Sequence, residues 1–380
     1  MGEMFVMNKK KTKNYSTKFI KHTFVYMNQV IIMIARVSVH IPFDILLAID
    51  EQFPIYTFQY PGFKVSIYPP GRDPTFSPQQ EPSSITLNGK KAVLCNVFRM
   101  DFQKNEFNRE INQDPTKITI DPPLVLINGV LNDFLMRIRH LTKANQIHLL
   151  NLSSCRWWIE YLNDDGSELI SEKGKFKGRA RFKFDFKYVA LNQEIWEDIF
   201  TLPLDFRSEY WNDLLLDGTD ELPEIGPSIV LTFTALEIFI AKILNQLATK
   251  EKISPEFWAW INQRPDWAQE PTVEEQYDDL LTILCGHSLK EDEKLWTAFK
   301  NLKSARNNFV HEGVAKISKK TSQKPLEENE ARELIAHANK IPIRIREWLP
   351  KEIQWDLSKN YNIKFDATWP LIGPQEKNEV

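Results

Sequence analysis

The spacing of apolar side chains changes once along this chain, and that change decides what it can fold into. In the first half the repeat is two. Val37-Ser38-Val39-His40-Ile41, Tyr56-Thr57-Phe58-Gln59-Tyr60 and Phe63-Lys64-Val65-Ser66-Ile67-Tyr68 alternate apolar with polar residues, as half-buried strands do. Beyond residue 226 the repeat is helical. Phe233, Leu236, Ile240, Ile243, Leu244 and Leu247 form one seam, and Leu295, Phe299, Leu302, Arg306 and Phe309 form another at steps of four and three. Strands first and helices afterwards specify an α+β chain with segregated layers. The expected organisation is a flexible basic start over 1–29, a β-rich α+β recognition or regulatory domain over 30–190, a helical connector over 191–225, an all-helical bundle over 226–350 and a C-terminal extension over 351–380.

Several local signals refine this. Asn88-Gly89 between two apolar runs predicts a hairpin. Val130, Phe134, Ile138 and Leu141 predict a helix from Asn128 to Lys143, whose basic end (Arg137, Arg139, His140, Lys143) reads as a solvated face complementing the helix dipole. Strands are expected around the Asn163-Asp164-Asp165-Gly166 turn and over Arg179 to Val189, where Arg179, Arg181, Lys183 and Lys187 alternate with aromatics. Leu191 to Tyr210 reads as a connecting helix that Trp211 to Leu216 can extend, and Asp217 to Pro223 as a turn-rich break. Further helices are expected from Pro227, over Tyr277 to Leu284, over Glu291 to Val310 and, as one piece, over Glu328 to Leu349. Trp258, Trp260 and Trp267 fall in a short-helical or irregular aromatic insertion.

Composition narrows the function classes. With 42% hydrophobic and 26% charged residues, the 380-residue chain has ample material for a core. Its net charge of −3 argues against a protein that coats nucleic acid indiscriminately, though not against a local basic cleft. Cys95, Cys155 and Cys285 are odd in number and far apart, offering neither a disulfide framework nor zinc spacing; they fit a reducing cytoplasm. Lys9-Lys10-Lys11 precedes a run too interrupted for a signal peptide, and no membrane-spanning segment is expected. There is no phosphate-cradling Gly-rich loop, no H-E-x-x-H, no C-x-x-C and no G-x-S-x-G, so no cofactor and no metal is implied.

One stretch carries chemistry. In Arg306-Asn307-Asn308-Phe309-Val310-His311-Glu312-Gly313 an arginine takes a seam position that calls for Leu or Ile, and Gly313 can close the helix in the αL conformation. Asn307 and His311 lie one turn apart. Arginine is a permanent cation whose fork matches phosphate, and histidine exchanges a proton near neutral pH. On residues alone the pair reads either as a salt-bridged arginine with a helix-capping histidine, or as a site for RNA phosphodiester cleavage. In the latter the substrate's own 2′-hydroxyl attacks, and the protein supplies positioning, charge and proton transfer. Glu237 adjoins the first seam and either pairs with Arg306 or stays exposed. Lys316, Lys319, Lys320 and Lys324 leave the helix end where His311 sits and, with Lys303, are the candidates for phosphate contact, ordinary loop lysines being the alternative.

The form R-N-x-x-x-H of Arg306 to His311 resembles the signature of the HEPN superfamily (higher eukaryotes and prokaryotes nucleotide-binding domain). Ile229 to Ile240, especially Ala235-Leu236-Glu237, resembles that domain's long first helix, and Lys303 to Gly313 is similar to the helix end of bacterial members; the resemblance covers residues 225–350. It implies a metal-independent endoribonuclease that acts on RNA, with tRNA among the candidates. The homodimer would place both copies of Arg306 and His311 in one cleft. His311 would transfer the proton, Arg306 would stabilise charge and Asn307 would orient, supported by Glu237 and Asn308. The product would be a 2′,3′-cyclic phosphate. It further implies a cytoplasmic toxin or antiphage effector whose N-terminal domain answers a phage-derived or nucleotide trigger. Inactive members of the superfamily serve instead as modules that bind nucleotide or a protein partner.

Overall fold

The computed structural model describes residues 33–72, 84–104, 122–162, 168–173, 189–262, 270–317, 324–355, 361 and 365–368. The basic start, the Asn163–Gly166 turn, Arg179 to Tyr188, Trp267, Lys319 and Lys320 lie outside the described residues. The chain is α+β, with its strands before its helical bundle.

Strands β1 (Met33–Ala48), β2 (Tyr56–Tyr60), β3 (Phe63–Ile67), β4 (Ser84–Leu87), β5 (Lys90–Lys104), β6 (Arg156–Leu162) and β7 (Glu168–Lys173) build the sheet. Its antiparallel path runs β2-β3-β5-β1-β6-β7. The β4–β5 turn is the expected hairpin: Asn88 and Gly89 sit at φ 52° and 78°, the left-handed pair that matches strand twist. In β1 the register to β5 breaks between His40 and Ile45, where Pro42 has no N–H to give the ladder. Beyond the break β8 (Val189–Leu191) joins β1 in parallel.

Alternation places Ala35, Val37, Val39, Val65, Phe98, Met100, Phe102 and Ile159 in one core, covered by α1 (Leu124–Thr142) and α2 (Gln193–Thr201). Trp196 of α2 is fully buried. It meets the Phe134 ring edge-on at 5.4 Å, and its indole N–H donates to the Pro54 carbonyl at 2.8 Å.

Four expectations for this region need correction. First, α1 starts four residues early, at Leu124, because its first turn carries exposed Leu124 and Val125, which break the apolar pattern. Second, its basic end is not a solvated face. The Arg137 guanidinium is bound by Asp133 at 3.0 Å and donates to the carbonyls of Leu202 at 2.9 Å, Pro203 at 2.7 Å and Leu204 at 3.2 Å. Arg139 pairs with Asp217. Third, the single connecting helix is two helices, α2 and α3 (Tyr210–Asp220). Pro203 interrupts them. They serve different cores, since Ile195, Trp196 and Ile199 pack under the sheet and Trp211, Leu214 and Leu215 pack in the bundle. Fourth, Asp217 to Asp220, expected in a turn, is the end of α3.

The bundle is centred on α4 (Ile225–Lys250), with Pro227 in its first turn, where a missing N–H costs nothing. By length and composition α4 could cross a bilayer, yet 56% of its most apolar window is buried within the protein. It packs so closely on α3 that a Cβ added at Gly218 would fall 2.4 Å from Thr232 Oγ1. Around it lie α5 (Pro255–Asn262), α6 (Val273–Glu275), a π turn over Gln276–Leu280, α7 (Leu281–Cys285), α8 (Glu293–Glu312), α9 (Glu328–Ala338) and α10 (Ile341–Trp348). The expected final helix is therefore two. Pro342 cannot donate back to Ala338, and the chain turns at Asn339-Lys340.

The tail returns to the sheet. Tyr361 donates to Asp198 of α2 at 2.8 Å, and β9 (Phe365–Thr368) pairs antiparallel with β4.

Candidate active site at the end of the motif helix

Helix α8 starts where Asp292 accepts from the Leu295 amide at 3.1 Å, an N-cap. Leu295, Ala298, Phe299, Leu302 and Ala305 are buried. Gly313 closes the helix at φ 74°, and its N–H donates to the Phe309 carbonyl at 2.8 Å, the αL cap the sequence predicts. His311 is exposed in the last turn. Arg306, although it continues the seam, is half-buried. Its guanidinium carbon lies 5.9 Å from the centre of the Phe233 ring on α4, a cation–π distance. Its Nη1 donates to Asn307 Oδ1 at 3.1 Å. Its Nε is enclosed without a hydrogen-bond partner.

Glu237 lies one turn beyond Phe233 on the same helix. Burial pushes its carboxyl above the ordinary range, while the Arg306 and Lys303 charges pull it back. Among the described residues no ion pair joins Glu237 to Arg306. The direction of the guanidinium is therefore set by Asn307 and Phe233, not by the carboxylate pairing considered for Glu237. Beneath this group Tyr277, fully buried, donates to the Leu236 carbonyl at 2.8 Å. Its hydroxyl is held well above the usual phenol range by burial and by the nearby Glu237.

The lysines are less available than their spacing suggests. Lys303 contacts Glu274 at 2.9 Å. Lys316 pairs with Glu312, and its carbonyl accepts from Asn308 Nδ2 at 2.6 Å. Asn308 thus fastens the chain leaving the helix, and a phosphate at either lysine would have to exchange for a carboxylate. Lys319 and Lys320 lie outside the described residues.

Two contributors are not evident from the motif. Gly226, at the start of α4, receives the Phe309 ring; a Cβ there would sit 2.0 Å from it. Phe233 carries Arg306. The sequence signal for Phe233 was its seam position, whereas Gly226 had none beyond being a glycine beside the helix start. Among the described residues no three His, Cys, Asp or Glu side chains group as a metal would require.

No protein-family model, curated protein or solved structure matches this chain.

Proposed function

We propose that the chain is a metal-independent endoribonuclease of the HEPN type, acting as a cytoplasmic homodimer. The observation that carries this reading is a braced guanidinium and an exposed imidazole five residues apart in the last turns of one helix. Arg306 is braced on Phe233 and Asn307, and His311 stands in solvent in the last turn. His311 takes the proton of the attacking 2′-hydroxyl, or returns one to the departing 5′-oxygen. Arg306 meets the charge that builds on the phosphoryl oxygens. The 2′-oxygen bonds to phosphorus as the 5′-oxygen leaves, giving a 2′,3′-cyclic phosphate and a 5′-hydroxyl. In a dimer the two imidazoles can divide the base and acid roles. A toxin or antiphage effector that cuts tRNA or another cellular RNA, triggered through the sheet domain, is the biological setting we propose.

The test is incubation of the purified protein with total tRNA and a mixed RNA pool in EDTA, beside His311→Ala and Arg306→Ala. Cleavage should survive EDTA and fall about 10²–10⁴-fold in the histidine variant. Cleavage equal in both variants and the parent removes the site. One observation favours a second reading, a catalytically inactive HEPN module that binds nucleotide or a protein partner. Arg306 is half-buried with an enclosed Nε, as a structural arginine would be. No cleavage of any RNA, with the dimer intact, leaves either this module or an effector that awaits its trigger.

A further inference from the structure

A second site lies on the C-terminal half of α4, away from the motif. From Phe233, which carries Arg306, to Asn245 is about 18 Å along a helix at 1.5 Å per residue. There α5 stands off α4 and none of its residues is buried. Small side chains, Ala241 and Ala248 on α4 and Ala259 on α5, line a cavity of about 480 Å³ there. That volume falls in the range of small-molecule sites, roughly 300–1,000 Å³.

Trp258 forms one wall. Its indole N–H donates to Asn245 Oδ1 at 2.6 Å, the Asn262 amide nitrogen to the Trp258 carbonyl at 2.9 Å, and the Gln276 amide nitrogen to the Pro271 carbonyl at 3.2 Å. These bonds orient the three amides. They leave Asn245 Nδ2 as a donor, and Asn262 Oδ1 and Gln276 Oε1 as acceptors, without a partner among the described residues. An aromatic face beside mixed donors and acceptors suits a planar ring with a hydrogen-bonding edge.

The cavity continues past Asn245 and Thr249 into an open groove bordered by Lys242, Lys250 and Ile353. Lys250 meets Glu352 at 3.3 Å, both side chains exposed, and Lys242 pairs with Glu209. Exposed pairs of this kind are weak and exchange readily for a phosphate. We infer that the α4–α5 groove binds a nucleotide, its base against Trp258 and its phosphate toward Lys250. The base can belong to a free nucleotide or to an RNA strand. In the RNA case the stacked Phe257 and Trp260 rings, 53% and 59% exposed on the outer face of α5, take flanking bases.

Isothermal titration of the full chain with AMP, with adenosine and with a 2′-O-methylated oligoribonucleotide tests this. AMP should bind saturably. Lys250→Glu should weaken AMP about tenfold while leaving adenosine unchanged. Ala259→Leu, which fills the cavity and removes no contact, should abolish both. AMP binding is read without any RNA cleavage, so failure here and failure of the ribonuclease reading remain distinct. An oligonucleotide tighter than AMP and weakened by Trp260→Ala assigns the base to RNA; equal or weaker binding assigns it to a free nucleotide. No saturable AMP or oligonucleotide binding up to about 5 mM, or binding indifferent to Ala259→Leu, overturns the site.

Discussion

At the scale of single residues the motif helix is held by contacts that leave little slack. The Phe309 ring lies where a Cβ at Gly226 would be. Gly226→Ala should therefore cost about 1–3 kcal/mol through overpacking and shift the end of α8. Adding Phe309→Leu should recover part of that loss in urea melts, and no recovery would place the cost elsewhere. Glu237 gives a pH-dependent prediction. Its folded-state pKa is raised by burial, so the stability it contributes is fully present below its ordinary value and is lost as pH rises through the raised one. Glu237→Gln stays neutral, so its stability relative to the parent should rise with pH across that window. Denaturation at about pH 4 and about pH 7 reads the difference; a variant weaker at the higher pH would mean that attraction to Arg306 outweighs desolvation. The αL cap at Gly313 and the Phe233 seam could be read from spacing, because each is set within a few turns of one helix. The partners of Arg306, Lys303 and Lys316 could not, since they depend on which helices become neighbours.

At the scale of elements, repeat length was a dependable guide where one face met one core. The hairpin at Asn88-Gly89, the central helix α4 and the motif helix α8 are in this class. It misled where a polar side chain had a distant purpose. Arg137 looks like a solvated residue at a helix end, yet it binds the chain that follows α2, sixty-odd residues on. Nothing local announces a guanidinium matched to consecutive carbonyls. The split between α9 and α10 falls just before Pro342, a helix-start signal that the reading of one helix over Glu328 to Leu349 did not use. Helix α5 differs from the rest in having no buried residue. Its amides should exchange hydrogen faster than those of α4 or α8 under native conditions. Ligand in the α4–α5 groove should slow them, whereas exchange as slow as in α4 would contradict the open packing.

At the scale of the whole molecule, the two cores meet through α1 and α3. Arg139 pairs with Asp217, and Asp220 takes His148 at 3.0 Å and Asn145 at 3.4 Å. His140, packed 4.8 Å from the Phe206 ring, is pushed down to about 4 by burial and then by the Lys143 charge. A depressed histidine leaves the unfolded chain to bind the proton first. Stability from this group is therefore present above its ordinary value of 6.5 and is lost as pH falls from there toward 4. His140→Gln should flatten the acid limb of a melting-temperature profile over that window; an unchanged limb would assign the acid sensitivity to other groups.

The return of the tail to β4 and α2 has a mechanical consequence. The chain enters the bundle after α2 and leaves it before Tyr361, so both of its ends are moored to the sheet domain. With the contacts between the α1 region and α3, this makes a third point of attachment, so the bundle is held in orientation as well as in place. Severing the tail mooring should leave the α1–α3 contact to hold the bundle and should not unfold it.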